Sequence, residues 1–542
     1  MNASQYSGES NFESTTSTYP EMLARHHNLL TTNEPPMGLE LPYIRSVVSN
    51  TGARLECLEN NISQRQDPLA QSVEEHTSLS SYYSQNLAIL SPLRRMPPEV
   101  LCEIFSWTLP SISQALEHER LDVKYSPWVL THVSSRWRAV AVSTRSLWSQ
   151  IVIHYSHDRD STCVQDQFAY PLAMVETHIQ RAHNLKVHFY GCTNRATGPQ
   201  IEMFRCLAEH SSRWEEFSVE LTPDLCPLLP PLADRLQSLR RVWIQWHGPD
   251  IESGVEGIYC FQKAPRLVDF GINNEYARPI SILLPAHQLT RYHIEGPWSM
   301  HQSILPMAPN LTGVRIELDP TEESWVAHGD VINLFHLRRL FVSHTEILNC
   351  LRAPALTDMA FYHAEDESDP NPLLHLEPFV GRSNCTIRSL SIKGLPTTQI
   401  TAEILQKYSS ITELAIIFHI HDDDAPETDT PCNGGNTLIS SLTIRNPSES
   451  APLSPHLSEI SFGCEDTYID YSLYLEMLES RWESADCALK SAGLLTGSFV
   501  PGPDPATLEG LRGLRRDGLE LLVVKGKEAQ DIMDDYTYSM WC

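Results

Sequence analysis

Residues Ala264-Pro-Arg-Leu-Val-Asp-Phe-Gly-Ile272 recur in pattern as Ala308-Pro-Asn-Leu-Thr-Gly-Val-Arg-Ile316, Ala353-Pro-Ala-Leu-Thr-Asp-Met-Ala-Phe361 and Ser454-Pro-His-Leu-Ser-Glu-Ile-Ser-Phe462. The shared frame is small-Pro-x-φ-x-x-φ-x-φ, with φ apolar. Proline closes a preceding helix because it bars the residue before it from α geometry. The Leu anchors beneath the turn, and alternate residues after it point to one side of a short strand. Chance supplies on the order of 0.1–0.2 such matches, so the frame marks a repeat.

Looser φ-x-x-φ-x-φ triplets begin at Trp214, Leu239, Leu267, Leu289, Leu311, Leu337, Leu356, Ile387, Ile411, Ile439 and Leu457. Their spacings, 18 to 31 residues, scatter around the roughly 20–29 of a leucine-rich repeat, which the pattern resembles without its regular asparagine. Each unit of such an array buries its apolar face only against its neighbours. Residues 160–525 are therefore expected to form an irregular leucine-rich-repeat solenoid. Leu508, Leu511 and Leu514 predict a capping helix, and Leu519, Leu521 and Val523 a last strand. Residues 526–542 read as an acidic, aromatic tail. Trp214, Trp243, Trp246 and Trp298 fall in or beside strands. Trp243 and Ile244 are strand neighbours on opposite faces, so one of them is expected to face outward.

Upstream, residues 1–36 are rich in Ser, Thr, Asn and Glu and predict a disordered tail, His26-His27 included. Leu41, Val48, Leu55, Ile62 and Leu69 then recur every seven residues, with Ile44 and Leu58 at the offset position. That is a heptad seam, interrupted by Thr51 and Arg65 and ended by Pro68. A second helix over about 72–90 places Val73, Leu79, Tyr83, Leu87 and Leu90 on one face. Residues 37–90 thus predict either an antiparallel helical hairpin or a coiled coil between chains.

Residues 91–153 form a further module. Pro97 suits the first turn of a helix, Glu99 favours its positive end, and Val100, Leu101, Ile104 and Phe105 form an apolar stripe. Leu130, Val133, Trp137, Val140 and Ala141 share another helical face, and Leu147-Trp148 runs into a strand. The order Leu-x-x-Met-Pro-Pro-Glu-Val-Leu, Ile-Phe-x-Trp, Val-Ser-x-x-Trp-Arg-x-Val-Ala and Leu-Trp resembles F-box-like domains, particularly those of mushroom-forming fungi. The interval Pro110–Ser126 is longer than in a minimal F-box. The expected fold class is α plus α/β, a short helical module followed by the solenoid.

The resemblance implies a substrate receptor of an SCF-type ubiquitin ligase. Its module would bind a Skp-type adaptor, which joins a cullin scaffold, through Leu93, Pro97, Pro98, Leu101, Ile104, Phe105, Trp107, Val133 and Trp137. The repeats would hold a protein target. The alternatives are a repeat scaffold without ligase function and an enzyme with a site assembled from distant repeats.

The composition favours a protein partner. The net charge is −28, from 68 acids and 40 bases, which repels nucleic-acid phosphates and anionic lipid. Thirteen cysteines without a C-x-x-C predict reduced thiols, and no signal peptide or membrane segment is readable, so a cytoplasmic or nuclear location is expected. No nucleotide-binding, zinc-protease or serine-hydrolase motif is present, and no catalytic residue or cofactor is expected. The strongest metal candidate is His419-Ile-His421-Asp422-Asp423-Asp424. It reads better as a strand running into a solvated loop, so no metal is expected. Asp366–Asp369 reads likewise as a loop tip.

Overall fold

The computed structural model describes residues 18–64, 70–117, 121–155, 172–191, 196–246, 257–274, 280–318, 330–363, 371–394, 397–419, 433–444 and 453–539. Chain contacts divide it into two units. The first comprises Met1–Pro110, Leu121–Ser149 and Thr177–His183; the second comprises Ser111–Arg120, Gln150–Glu176 and Asn184–Cys542. The helical segment before residue 90 and the module after it, expected as separate, lie in one unit.

That first unit is helical: α1 (Thr18–Thr31), α2 (Glu40–Gln64), α3 (Ala70–Ile89), α4 (Pro92–Arg95) and α5 (Pro98–Trp107). After α6 (Ile112–Glu117), which belongs to the second unit, come α7 (Leu130–Val133) and α8 (Ser135–Ser143). Helix α9 (Leu172–Arg181) adds His178 and Arg181 to the first unit. The heptad seam pairs within the chain: Arg54 meets Glu75, His76 meets Glu59, and Tyr83 crosses Gly52, which makes α2 and α3 antiparallel. Ile44 and Leu55 are buried, as is Thr51 at an offset position; Leu69 lies outside the described residues.

The disordered tail expected over 1–36 is corrected for its second half by α1 (Thr18–Thr31), while residues 1–17 lie outside the described residues. His26 is buried, 2.6 Å from Asn86 Oδ1 and edge-on to Tyr43, while Leu29 joins Ile44 and Ile89 in a small core. The two buried polar side chains there, His26 and Asn86, are each other's hydrogen-bond partners.

The second unit carries a parallel sheet of fourteen strands in chain order. They are β1 (Gln150–His154), β2 (Leu185–Tyr190), β3 (Trp214–Leu221), β4 (Arg241–Trp246), β5 (Asp269–Asn273), β6 (Arg291–Glu295), β7 (Gly313–Glu317), β9 (Arg339–Val342), β11 (Asp358–His363), β12 (Ser389–Gly394), β13 (Glu413–Phe418), β14 (Glu459–Cys464), β15 (Ser491–Thr496) and β16 (Glu520–Lys525). Between them, β8 (Ile332–Asn333) and β10 (Leu351–Arg352) form a separate pair. The crossover helices are α10 (Gly198–Ala208), α11 (Trp298–Ile304), α12 (Leu373–Ser383), α13 (Thr398–Lys407), α14 (Asn433–Leu442), α15 (Tyr471–Glu483) and α16 (Pro505–Arg516), with α17 (Lys527–Tyr536) last.

Ten of the eleven triplets fall on strands of this sheet. The exception, Ile439, lies in α14, where Leu438, Ile439 and Leu442 are buried at helical spacing. The small residues of the proline frame, Ala264, Ala308, Ala353 and Ser454, are all buried. One strand face is apolar and covered: Phe189 meets Phe204 of α10, and Phe462 meets Tyr474 of α15. The opposite face is more polar and carries His188, Ser218, Trp243, His293, Arg315, Ser391 and Ser461. Among the described residues no helix is long and apolar enough to cross a membrane.

Candidate functional site

The first candidate surface lies on the helical unit. Helix α5 starts at Pro98, whose missing N–H costs nothing there, with Pro97 before it. Leu101 and Phe105, on its inner face, are fully buried; Phe105 packs on Trp137 at 4.9 Å between ring centres. Leu130, Val140, Ala141, Leu147 and Trp148 complete this core. Leu101 and Phe105, expected among the contact residues, thus lie in the core of the helical unit and present no surface there.

The outer face of α5 differs. Pro97, Val100, Ile104 and Trp107 follow at i, i+3, i+7 and i+10, a single helical stripe. All four are exposed, Trp107 by 82%. Its indole N–H donates to Glu103 Oε1 at 3.1 Å, which holds the ring along the helix. Pro98 is exposed beside them.

Leu93, Val133 and Trp137 meet elsewhere, in a cleft of about 220 Å³ that also includes Asn33, Arg94 and Arg136. The cleft is built by hydrogen bonds. Ser134 caps α8 by accepting from the Trp137 N–H at 3.1 Å. The Arg136 guanidinium donates to the carbonyls of Arg94 and Met96, just before the double proline. Asn33 donates to the Val133 carbonyl at 3.3 Å. Behind it, Trp148 donates to the Ala141 carbonyl at 2.8 Å, and the Arg181 guanidinium lies 4.2 Å from the Trp148 ring centre. The nine predicted residues thus separate into a stripe, a cleft and a core. The added interval contains α6, which packs beside β1.

The second candidate surface is the polar face of the sheet. Much of it is occupied by the chain's own C-terminal segment, so the expected acidic tail is corrected to a docked helix. Ala529 and Met533 of α17 join Ile417 and Leu495 in one cluster, with Ile532, Tyr536 and Val524 around them. Gln530 donates to Glu465 Oε1 at 2.7 Å, and the Tyr536 and Ser461 hydroxyls lie 2.8 Å apart. Beyond the helix, the Thr537 carbonyl accepts from Arg315, whose guanidinium stands 3.9 Å over the Phe341 ring. The signal for this helix was present in the sequence: Ala529, Ile532, Met533 and Tyr536 at i, i+3, i+4 and i+7.

Neither Trp243 nor Ile244 faces open solvent. Trp243 lies flat over Gly271, where a Cβ would come within 2.2 Å of its ring, and 4.7 Å from the centre of His293. Trp214, Trp246 and Trp298 are also buried.

Several groups on this face, and His301 of α11 against Tyr292 on the opposite face, are shifted in pKa. Burial pushes His188 down to about 3 and His293 and His301 to about 4. Glu317 is held well below the carboxylate range, against its burial, by Arg315 and by hydrogen bonding from His293 at 2.8 Å. Burial raises Asp534 on α17 to about 6. Lys393, at 2.9 Å, keeps Glu465 ionised and its pKa low despite burial.

His419 Nδ1 lies 3.2 Å from a Glu465 carboxylate oxygen and 2.9 Å from one of Asp466; His421 and Asp422–Asp424, like Asp366–Asp369, lie outside the described residues. Among the described residues no cluster of three or more His, Cys, Asp or Glu is arranged to hold a metal ion. No protein-family model matches the chain, and no curated protein matches it.

Proposed function

We propose that the chain is an F-box-type substrate receptor of an SCF-type ubiquitin ligase. Its helical unit would dock a Skp-type adaptor linked to a cullin, and its leucine-rich-repeat-like sheet would hold a protein target. The observation that carries this reading is the stripe Pro97, Val100, Ile104 and Trp107. A stripe of exposed apolar side chains on a helix whose other face is fully packed is a surface suited to a partner. The cleft of Leu93, Val133 and Trp137 supplies a second apolar contact on the same unit. The parallel sheet, whose strands follow chain order, fits a repeat array.

In this role the protein performs no bond chemistry itself. It raises the effective concentration of target lysine near the ubiquitin-carrying enzyme. The test is adaptor binding by purified full-length protein. The Ile104→Ala/Trp107→Ala double variant is expected to lose adaptor binding by about tenfold or more, as aromatic hot spots do. Undiminished adaptor binding by that variant overturns the docking surface. Purification that recovers neither adaptor nor cullin overturns the ligase role and favours a repeat scaffold.

A further inference from the structure

Lysine is scarce in this chain. Eight lysines stand against thirty-two arginines, although lysine ordinarily ranks among the commonest residues. The helical unit is the extreme case, with ten arginines and the single lysine Lys124. Some arginines need their guanidinium. Arg136 forks onto two carbonyls, and the buried Arg481 donates to the carbonyls of Leu442, Leu453 and Ser454. Others do not. Arg45, Arg95, Arg145, Arg266 and Arg515 are exposed, and among the described residues their side chains form no hydrogen bond or ion pair. Helix propensity does not favour arginine there, since the two residues are nearly equal helix formers. Charge does not either, since both are cations. What separates them at such positions is reactivity. A lysine amine can lose its proton and attack a carbonyl carbon, whereas an arginine guanidinium stays protonated.

We propose that arginine stands in for lysine on this chain to spare it the ubiquitin transfer that it directs. The inference rests on the reading of the protein as a ligase receptor. A receptor's own side chains are tethered to the same scaffold as the ubiquitin-carrying enzyme. Their effective concentration there is on the order of millimolar, with or without a target. An exposed lysine within reach therefore competes with the target's. In the transfer, the amine nitrogen bonds to the carbonyl carbon of the ubiquitin thioester, the C–S bond breaks, and the departing enzyme sulfur takes the proton that the amine gives up. A protonated guanidinium has no nucleophilic lone pair for that step. Of the eight lysines, four are engaged: Lys186, Lys263, Lys393 and Lys407 pair with Glu216, Asp234, Glu465 and Glu377. Lys124, Lys490, Lys525 and Lys527 are exposed and, among the described residues, form no ion pair. Residual modification falls on these four.

The test is a reconstituted reaction of the full-length chain with a Skp-type adaptor, a cullin scaffold and a ubiquitin-carrying enzyme, in which mass spectrometry locates the modified lysines of the chain. One comparison is Arg45→Lys/Arg145→Lys/Arg266→Lys, which adds three amines and leaves the charge unchanged. The other is the chain with a flexible lysine-bearing peptide appended. The appended peptide is expected to be modified. The parent is expected to be modified weakly, at Lys124, Lys490, Lys525 or Lys527, and the triple variant severalfold more, at the new lysines. Circular dichroism and adaptor binding should be the same for parent and triple variant. Equal modification of the two, heavy or light, in a reaction that modifies the appended peptide overturns the proposal and leaves the receptor reading standing. Failure to assemble with adaptor and cullin, or an assembled complex that leaves the appended peptide unmodified, overturns the receptor reading and the proposal together.

Discussion

Met533 seats its thioether over Gly463: a Cβ added to Gly463 would lie 2.6 Å from the sulfur and 2.9 Å from Cγ. The pair fixes where α17 lies on β14, because only a residue without a side chain leaves room for the methionine. Gly463→Val should therefore lift the helix from the sheet. The expected cost is about 1–3 kcal/mol, as for overpacking elsewhere. Met533→Ala leaves a void instead and should cost about 2–5 kcal/mol. Hydrogen exchange checks the location of the effect. Faster exchange across 527–536 in both variants is expected, and unchanged exchange there would falsify the seat.

The division of α5 into an inner and an outer face separates stability from binding. Leu101→Ala is expected to destabilise the helical unit by about 2–5 kcal/mol, because Leu101 is fully buried. Trp107→Ala and Ile104→Ala should each change stability by no more than about 0.5–1 kcal/mol, since both side chains already face water. Urea melts distinguish these outcomes. A Trp107→Ala loss as large as that of Leu101→Ala would place the indole in a core and remove it from the proposed adaptor surface.

Much of this architecture was legible in the sequence, and the failures have physical causes. Proline and the buried small residue mark the strand entrances, so Leu267, Leu311, Leu356 and Leu457 all located strands correctly. Strand β2 escaped the triplet because it is regular from its start: its buried residues Leu185, Val187 and Phe189 are spaced by two, and the extra residue of the register shift lies on β3, between Trp214 and Glu216. Ile439 was misread because an apolar residue three positions before another fits a helix as well as a strand corner. Helix α17 was hidden by Asp531, Asp534 and Asp535, whose charges masked an apolar face of only four residues.

The site was less legible than the fold. The motif located α5 but could not separate Leu101 and Phe105 from Val100, Ile104 and Trp107. All five are apolar on one short helix, and which face turns inward depends on α8.

Arg136 is expected to matter more than an exposed arginine usually does. Its two terminal nitrogens hold the Arg94 and Met96 carbonyls, where Pro97 and Pro98 offer no N–H to any neighbour. Lysine cannot reproduce that fork. Arg136→Lys should lose about 1–3 kcal/mol in denaturant unfolding, while Arg95→Ala, at an exposed position in α4, should stay within about 0.5 kcal/mol. Equal effects at the two positions would show that the carbonyl contacts contribute nothing.

Two opposing pH dependences act on the sheet and the helices packed against it. His188, His293 and His301 stay neutral in the fold, with values near 3 to 4 against 6.5 for a free side chain. Below pH 6.5 the unfolded chain takes up protons that the folded one refuses. Their contribution is therefore intact above that value and is lost as pH falls through 6.5 toward 4. Asp534 works the other way. Burial raises it from 3.8 to about 6, so the folded chain keeps a proton that the unfolded chain releases. Its contribution is present below 3.8 and lost as pH rises through 6. Asp534→Asn removes that loss while keeping an oxygen for Gln530 to donate to. The variant should be more stable than the parent by about 1–3 kcal/mol at about pH 8, and the gap should shrink at about pH 4. Urea midpoints at the two pH values decide it. A gain of equal size at both would mean that ionisation of Asp534 is not its source.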